Sequence, residues 1–467
     1  MILRLILLGY FIIGLLTIIF YDGTGGGGDS VYHFLYAKEA PQHPELFFNH
    51  WAKPLFVLIA SPFAQFGLIG VKLLNLFFVS ATIWFTAKTA NHFNIRENWI
   101  SGLMLIFSPL YFALTFSGLT EPMFAFFLIL ATFLFLKKHF VGSLIIISFL
   151  PFIRSEGLFF IATFGFTFIW IKKWKMLPLL LTGSILYGIA GYPFHGDFLW
   201  VFNKVPYARL SSTYGEGNPF HFVNQLIYVV GIPIYILFWL GIVAWFWKTW
   251  KRGFKPQLTF IIYGGVFSFI LAHSIFWHYG IFNSMGLNRV LISIMPYIAI
   301  IALIGLNFFS DVLLAPLNKK LKLVRYFFLG YALIFPFTSN PAALDFAKDL
   351  GPTPAEQVAS EMAKQLEKDV DDFRIVVADI NFCYLMNKDC FVSKEKVFLN
   401  EEALGNLRAN DIIIWDNWFA VVEQGISLDQ LENHSQLEKI NEIKRTSPGD
   451  RTVHFVAFKV RREILER

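Results

Sequence analysis

Charged side chains stand at four places where an otherwise apolar chain has little reason to carry them. Asp29 follows a run of glycines in GTGGGGDS, and glycine lets a backbone approach a ligand closely. Tyr32, Tyr36 and Glu39 come after it at near-helical spacing. Glu121 opens an apolar run in SGLTEPMF, and Arg154 and Glu156 are squeezed between two such runs in PFIRSEGLFF. Asn288 and Arg289 open another, GLNRVLISIMPYIAI. A carboxylate can take the proton of an attacking hydroxyl, and fixed cations in a dry site stabilise a phosphate that gains charge as it leaves. Asp29 is the candidate base, with Glu121 as the second acidic group. Arg289 and Arg154 are the candidate phosphate-binding cations, with Lys53, Lys204 and Arg209 behind them. Glu39, Tyr32, Glu156 and Asn288 are candidates for orienting substrate. Each has a plainer alternative. Asp29 caps the helix that follows it, Glu121 answers a helix dipole, Arg154 pairs only with Glu156, and Arg289 reaches to lipid phosphate. The glycine run has no Gly-Lys-Ser/Thr ending, so it is not a nucleotide cradle.

The elements that must position these groups are membrane helices. Of 467 residues 56% are hydrophobic and only 15% charged, against roughly 25% charged in a soluble domain. Mean hydropathy is +0.55. Long runs carry almost no charge: Leu3–Phe20, Leu68–Ala87, Trp99–Thr115, Pro122–Leu136, Gly157–Ile171, Phe222–Trp247, Leu258–Trp277, Val290–Asn307 and Tyr326–Phe337, with shorter ones at Val141–Ile153 and Leu177–Tyr192. A helix needs about 20 apolar residues to cross the hydrocarbon, which gives roughly eleven spans. The runs are continuous rather than alternating, so the fold class is a polytopic α-helical membrane protein and not a barrel. The first run is long and no A-x-A site follows it, so it reads as a retained helix rather than a signal peptide.

The net charge of +6 is not a nucleic-acid signal. Its cations cluster in every second loop: Arg96; Lys137 and Lys138; Lys172, Lys173 and Lys175; Lys248, Lys251, Arg252 and Lys255; Lys319, Lys320, Lys322 and Arg325. Short basic loops stay in the cytoplasm. The N-terminus is then inside, and the long loop at 22–54, the loops that carry the site candidates and the C-terminal tail are outside. No eukaryotic retention signal ends the chain, which favours a bacterial inner membrane with a periplasmic tail.

Hydropathy falls after Pro341, dividing the chain into a membrane domain (1–341) and a soluble domain (342–467). The tail reads as a small α/β domain. Asp345–Glu367 and Leu428–Lys439 are expected helices, and Phe373–Asp379, Asp411–Asp416 and Thr452–Lys459 expected strands. The two cysteines, Cys383 and Cys390, lie here, in an oxidising compartment if the topology holds. They are either bonded across a turn or two buried thiols. No further Cys or His pair has metal-ligand spacing. His195, His221, His273 and His278 read as interfacial or hydrogen-bonding residues. Trp51, Tyr207, Tyr214, Trp277 and Tyr279 either anchor helices at headgroup depth or stack on sugar faces.

An Asp early in a long first outer loop, an acidic residue in a tiny second one, an R-x-E-G opening a later span and an N-R before a P-Y resemble the polytopic GT-C glycosyltransferases. These include the protein O-mannosyltransferases, the lipid A aminoarabinose transferases and the glycosylphosphatidylinositol mannosyltransferases. The resemblance implies a mannosyltransferase-like enzyme with a polyprenyl-phosphate sugar donor, a catalytic Asp29, transfer on the outer face with inversion, and a soluble tail. Where the O-mannosyltransferases typically show Asp-Glu, this chain has Asp29 and Ser30, leaving Glu39 or Glu121 as the second carboxylate. The first loop has no Asp-x-Asp, which argues against a metal-dependent oligosaccharyltransferase-like site. No cofactor is required, and a divalent ion, though compatible with the chemistry, is not predicted. The expected partners are the donor, a glycan, lipid or protein acceptor, and membrane lipid. The alternatives are a transporter or flippase for a lipid-linked glycan, which would carry polar groups through the midplane, and a non-catalytic assembly subunit.

Overall fold

A computed structural model of the chain describes residues 1–206, 208, 212, 214–253, 255–313, 322–338, 344–369, 373–409, 411–446 and 452–461. Among these, six helices are long and apolar enough to cross a membrane: Ile2–Phe20, Leu68–His92, Trp174–His195, Ile232–Lys251, Leu258–His278 and Asn288–Asp311. Shorter apolar helices accompany them at Pro54–Ala64, Glu121–Leu136, Phe140–Phe152, Gly157–Trp170, His221–Val230 and Arg325–Phe337. The chain is a membrane protein built as a helical bundle.

Two of the expected spans are broken. Trp99–Thr115 divides into Ile100–Ile106 and Pro109–Thr115, because Pro109 has no amide hydrogen to continue the ladder. Phe222–Trp247 divides into His221–Val230 and Ile232–Arg252 at Gly231, whose φ is +79°. The one cation of the Leu68–Ala87 run, Lys72, lies buried within its helix at 3% exposure.

The Asn288–Asp311 span is the bundle's centre, and Val290–Phe308 within it is wholly buried. Ile232–Arg252 lies against it backbone to backbone. A side chain at Gly305 would meet the Leu237 carbonyl at 1.9 Å, and one at Gly241 the Ile301 carbonyl at 2.1 Å. Such contacts between small residues drive helix association in lipid, where water gives no hydrophobic force. The ends of the bundle differ chemically. At one end Arg96 pairs with Asp311 at 2.5 Å and Arg325 pairs with Glu97, joining loops expected on a single side. The other end gathers the candidate site.

The C-terminal residues form a five-stranded sheet in the order β2-β1-β3-β5-β4. The strands are β1 Arg374–Val377, β2 Lys396–Phe398, β3 Asp411–Asp416, β4 Leu437–Thr446 and β5 Thr452–Val460. β1 runs parallel to β2 and β3, and β5 antiparallel to β3 and β4. Alternation splits the side chains between two faces. Ile375, Val377, Ile412, Ile414 and Ala457 join the main core with Val358 and Met362, while Val376, Ile413, Trp415 and Phe458 pack with Leu404, Ile426 and Leu431. Two expected helices are corrected. Asp345–Glu367 becomes a turn at Phe346–Asp349 and a helix at Pro354–Asp369, interrupted by Gly351, Pro352 and Pro354. Leu428–Lys439 is helical only to Glu432, and Leu437 begins β4. β4 is an exposed strand whose charged outer face hides its alternation. Cys383 and Cys390 form a disulfide.

Candidate active site

The first loop enters a helix at Gly27–Glu39 with Gly26 as its N-cap residue. Asp29 therefore lies inside the first turn. It caps nothing; its carboxylate instead accepts from the Arg289 guanidinium. Arg289 comes from the tight turn at Asn288–Ile294 that opens the central span. Its Nε also stands 3.5 Å from Glu121 Oε1. Glu121 is the first residue of its helix and is fully buried. On its other side Arg154 Nη1 approaches Oε1 to 2.7 Å.

Arg154 holds a second carboxylate. Its Nη2 is 2.7 Å and its Nε 3.2 Å from Glu156 Oε1, while Nη1 donates to the Thr120 hydroxyl at 3.1 Å. Glu156 in turn faces His273 Nε2 at 3.7 Å. Lys53 completes the group, donating to Ser155 Oγ at 2.8 Å. Its backbone is left-handed, with φ +71°, a conformation that costs a non-glycine residue about 1–3 kcal/mol and clusters at functional sites. Asp29, Arg289, Glu121, Arg154, Glu156 and Lys53 thus form one alternating network of opposite charges.

Electrostatics follow the packing. Burial pushes the Asp29 carboxyl up, but the charge and hydrogen bond of Arg289, helped by Arg154, outweigh it and hold the group below its usual value. Its side chain nevertheless keeps 42% of its surface accessible, so it sits in an open recess crowded by protein rather than in a sealed interior. Burial opposes the charge of Glu156 too, and Arg154 overcomes it, bringing the carboxyl down to about 2. Burial lowers Lys53 to about 8. His33, one helical turn after Asp29, is pushed by burial down to about 3 and is neutral. It stacks on Trp51 at 4.9 Å, and among the described residues its Nδ1 has no hydrogen-bond partner.

Other sequence candidates lie apart. Glu39 is at the far end of the Asp29 helix, roughly 15 Å along its axis, paired with Lys38 at 2.8 Å. Tyr32 packs on Trp51, Tyr36 and Phe398 beside the network. Asn288 is half-buried next to Arg289. Lys204 donates to the His195 carbonyl at 3.0 Å, away from the site. Arg209 and Tyr207 lie outside the described residues. His195, His221 and His278 bond the carbonyls of Phe48, Gly286 and Gly217, as hydrogen-bonding residues should. His273 instead joins the network, as does His33, whose i+4 spacing from Asp29 was the available signal.

The glycine run serves protein contacts as well as any ligand. A side chain at Gly23 would strike the Gly351 carbonyl at 2.3 Å, and one at Gly28 would meet the Phe419 ring at 3.3 Å. Phe419 belongs to a turn of the C-terminal domain, Phe419–Glu423, whose Glu423 Oε1 accepts from Tyr214 at 3.0 Å. Burial raises the Glu423 carboxyl, and Asp29 adds to the effect. The C-terminal region around the sheet thus brings a carboxylate near the first-loop Asp. Among the described residues no group of three or more His, Cys, Asp or Glu side chains is arranged to hold a metal ion.

Over 96% of its length the chain superposes on 74% of the crystal structure of the Archaeoglobus fulgidus oligosaccharyltransferase in the apo form, with a TM-score of 0.51 and 12% identity. The two share a fold. No family model and no curated protein matches the sequence. At this identity the likeness is one of architecture, and function has to be argued from the site.

Proposed function

We propose that the chain is a GT-C-type glycosyltransferase that moves a sugar from a polyprenyl-phosphate donor to an acceptor hydroxyl at the outer face of a membrane. The observation that carries this reading is the accessible Asp29 carboxylate set against Arg289, with Arg154 one carboxylate further on. A base and phosphate-binding cations in one recess are what the reaction needs. The shared fold with an oligosaccharyltransferase supports glycosyl transfer in general.

Asp29 takes the acceptor's proton as its oxygen bonds to the anomeric carbon. The bond from that carbon to the phosphate oxygen breaks, and its electron pair leaves with the lipid phosphate. Arg289, Arg154 and Lys53 face the charge that develops. Glu121 spaces the two guanidiniums, and neutral His33 offers the sugar a hydrogen bond. Each of the three carboxylates already faces a guanidinium, so the set is a poor cradle for a divalent ion, and the reading assigns the charge stabilisation to arginine. The topology that goes with it has the N-terminus in the cytoplasm, residues 342–467 in the periplasm and a bacterial inner membrane. Phe419, Glu423 and Tyr214 would then form the acceptor-side wall. The sugar is a hexose, as in the mannosyltransferases the sequence resembles.

The breaks at Gly231 and Pro109 are a feature of secondary transporters, and they favour a transporter or flippase as the second reading. One experiment separates the two. Purified protein and Asp29→Asn are mixed with radiolabelled polyprenyl-phosphate sugars and a membrane extract as acceptor. The expected result is transfer by the wild type and none by the variant at unchanged folding. Binding of lipid-linked glycan without transfer from any donor would favour the flippase.

A further inference from the structure

Two loops must stay in register for Asp29 and Glu121 to share Arg289, and a buried polar ladder ties both to one helix. In the Leu68–His92 helix, Lys72 and Asn75 are three residues apart and face the same way. Lys72 Nζ donates to the Gly23 carbonyl at 2.6 Å and lies 3.5 Å from that of Tyr21, holding the loop that leads to Asp29. Asn75 Nδ2 donates to the carbonyls of Ser117 at 2.7 Å and Leu119 at 3.1 Å, holding the loop that leads to Glu121. Ser30 fastens one loop to the other. Its hydroxyl donates to the Thr24 carbonyl at 2.6 Å and accepts from the Gly118 amide at 2.6 Å.

The C-terminal domain grips the same loop one residue further on. Glu356 Oε1 accepts from the Thr24 hydroxyl and, at 3.3 Å, from its amide. Its Oε2 accepts from the Thr353 amide at 2.6 Å. Lys72, Asn75, Ser30, Thr24 and Glu356 are all buried. An ammonium group inside a membrane helix is costly and is usually kept because it does a job. Here it and Glu356 hold adjacent residues, Gly23 and Thr24, of the loop that leads to Asp29 five positions on.

We infer that Lys72, Asn75 and Glu356 form a clamp that positions Asp29 and Glu121, and that the C-terminal domain thereby sets the geometry of the membrane site. The catalytic consequence rests on the glycosyl-transfer reading; the mechanical one does not. None of the three touches the reacting atoms, so they are positioning residues.

The test uses the full chain in lipid nanodiscs and the variants Lys72→Met, Asn75→Ala and Glu356→Gln. Glu356→Gln keeps the shape of the side chain and lies outside the bundle, so it guards against a Lys72 variant that fails to fold. Amide hydrogen exchange is read at 23–31, with Met295–Phe308 and Asp411–Asp416 as references. The expected result is exchange about tenfold faster at 23–31, the loss of one buried hydrogen bond, with the reference segments unchanged. In the transfer assay kcat falls while KM for the donor holds, and Lys72→Arg restores part of it. Exchange at 23–31 equal to wild type, or a rise shared by the reference segments, overturns the clamp. Transfer by the wild type with an unmoved loop in all variants keeps the enzyme and removes the clamp. A loosened loop with no transfer by the wild type keeps the clamp and removes the enzyme.

Discussion

Arg289 donates to Asp29 across 260 positions of sequence, and this pairing decides the charge of the candidate base. Burial alone would favour the neutral acid, and Arg289 reverses that balance. With the pKa depressed, the carboxylate persists through the ordinary acid range and is lost only as pH falls through the lowered value. In Arg289→Gln burial prevails, so the acid limb of the transfer rate moves to higher pH. At neutral pH kcat falls by about 100-fold or more, the scale for removing one charge-stabilising donor. A pH–rate profile measures both effects. An acid limb left in place, with only the overall rate reduced, would detach Asp29 from the role of base.

Arg154 serves two carboxylates, the buried Glu121 and the largely buried Glu156. Arg154→Met strands both charges, and breaking a buried pair from one side typically costs about 3–5 kcal/mol. Thermal melting in detergent should show a clear loss. The double variant Arg154→Met/Glu121→Gln should recover part of it, because one stranded charge is gone. Independent, additive effects of the two substitutions would mean that the 2.7 Å approach carries no energy.

Most of the site was legible because lipid makes stray charge expensive, so Asp29, Glu121, Arg154 and Arg289 stood out as exceptions in apolar sequence. Their mutual arrangement was not legible, since residues 260 positions apart meet only through the packing of the bundle. Three of the plainer alternatives looked for local partners and the one for Arg289 looked to lipid; the structure supplies distant protein partners for all four residues, Arg154 keeping its local Glu156 as well. His33 was missed although it stands at i+4 from Asp29, and His273 reads as interfacial or hydrogen-bonding in the sequence because its partner Glu156 is 117 positions away. Lys72 was overlooked inside a run whose hydropathy its neighbours dominate. In the tail, strands with buried β-branched residues such as Ile412–Ile414 were readable, whereas β4 lies on the surface and shows no apolar alternation.

The disulfide joins Cys383 and Cys390 across seven positions, and the short loop it closes, with Phe391 just beyond it, packs against residues 36 and 43 of the first long loop. Asp389 bonds His43 Nε2 at 2.8 Å, and Phe391 packs against Tyr36 with ring centroids 4.7 Å apart. A loop this short is worth about 2.5 kcal/mol in the chain-entropy account. Replacing both cysteines with serine should lower the melting temperature of the C-terminal domain and speed proteolysis near His43, while the transmembrane helices keep their exchange protection. The same bond reports topology. In intact cells an impermeant reductant followed by an impermeant thiol reagent should label the wild type. Labelling only after the cells are broken would place the domain in the cytoplasm.

Asp379 and Asp416 follow and end the neighbouring parallel strands β1 and β3, and both are buried. Asp416 accepts from the amides of Trp418 at 2.9 Å, Phe419 and Ala420, the turn that reaches Gly28; Asp379 accepts from the Asn381 amide and side chain at 2.9 Å. Burial raises the Asp379 carboxyl to about 7, with Asp416 and Glu356 adding to the effect, and burial likewise raises Asp416. The folded domain therefore keeps a proton that the unfolded chain releases near the ordinary carboxylate value. Stability from that proton is complete below roughly pH 4 and is lost as pH climbs through the raised value. Asp379→Asn keeps the two bonds from Asn381 and has no proton to lose. Its melting temperature should exceed that of the wild type at alkaline pH, with the gap closing as the solution is acidified. Parallel melting curves for the two proteins across that range would show that Asp379 is ionised in the folded domain and would remove its proton from the account.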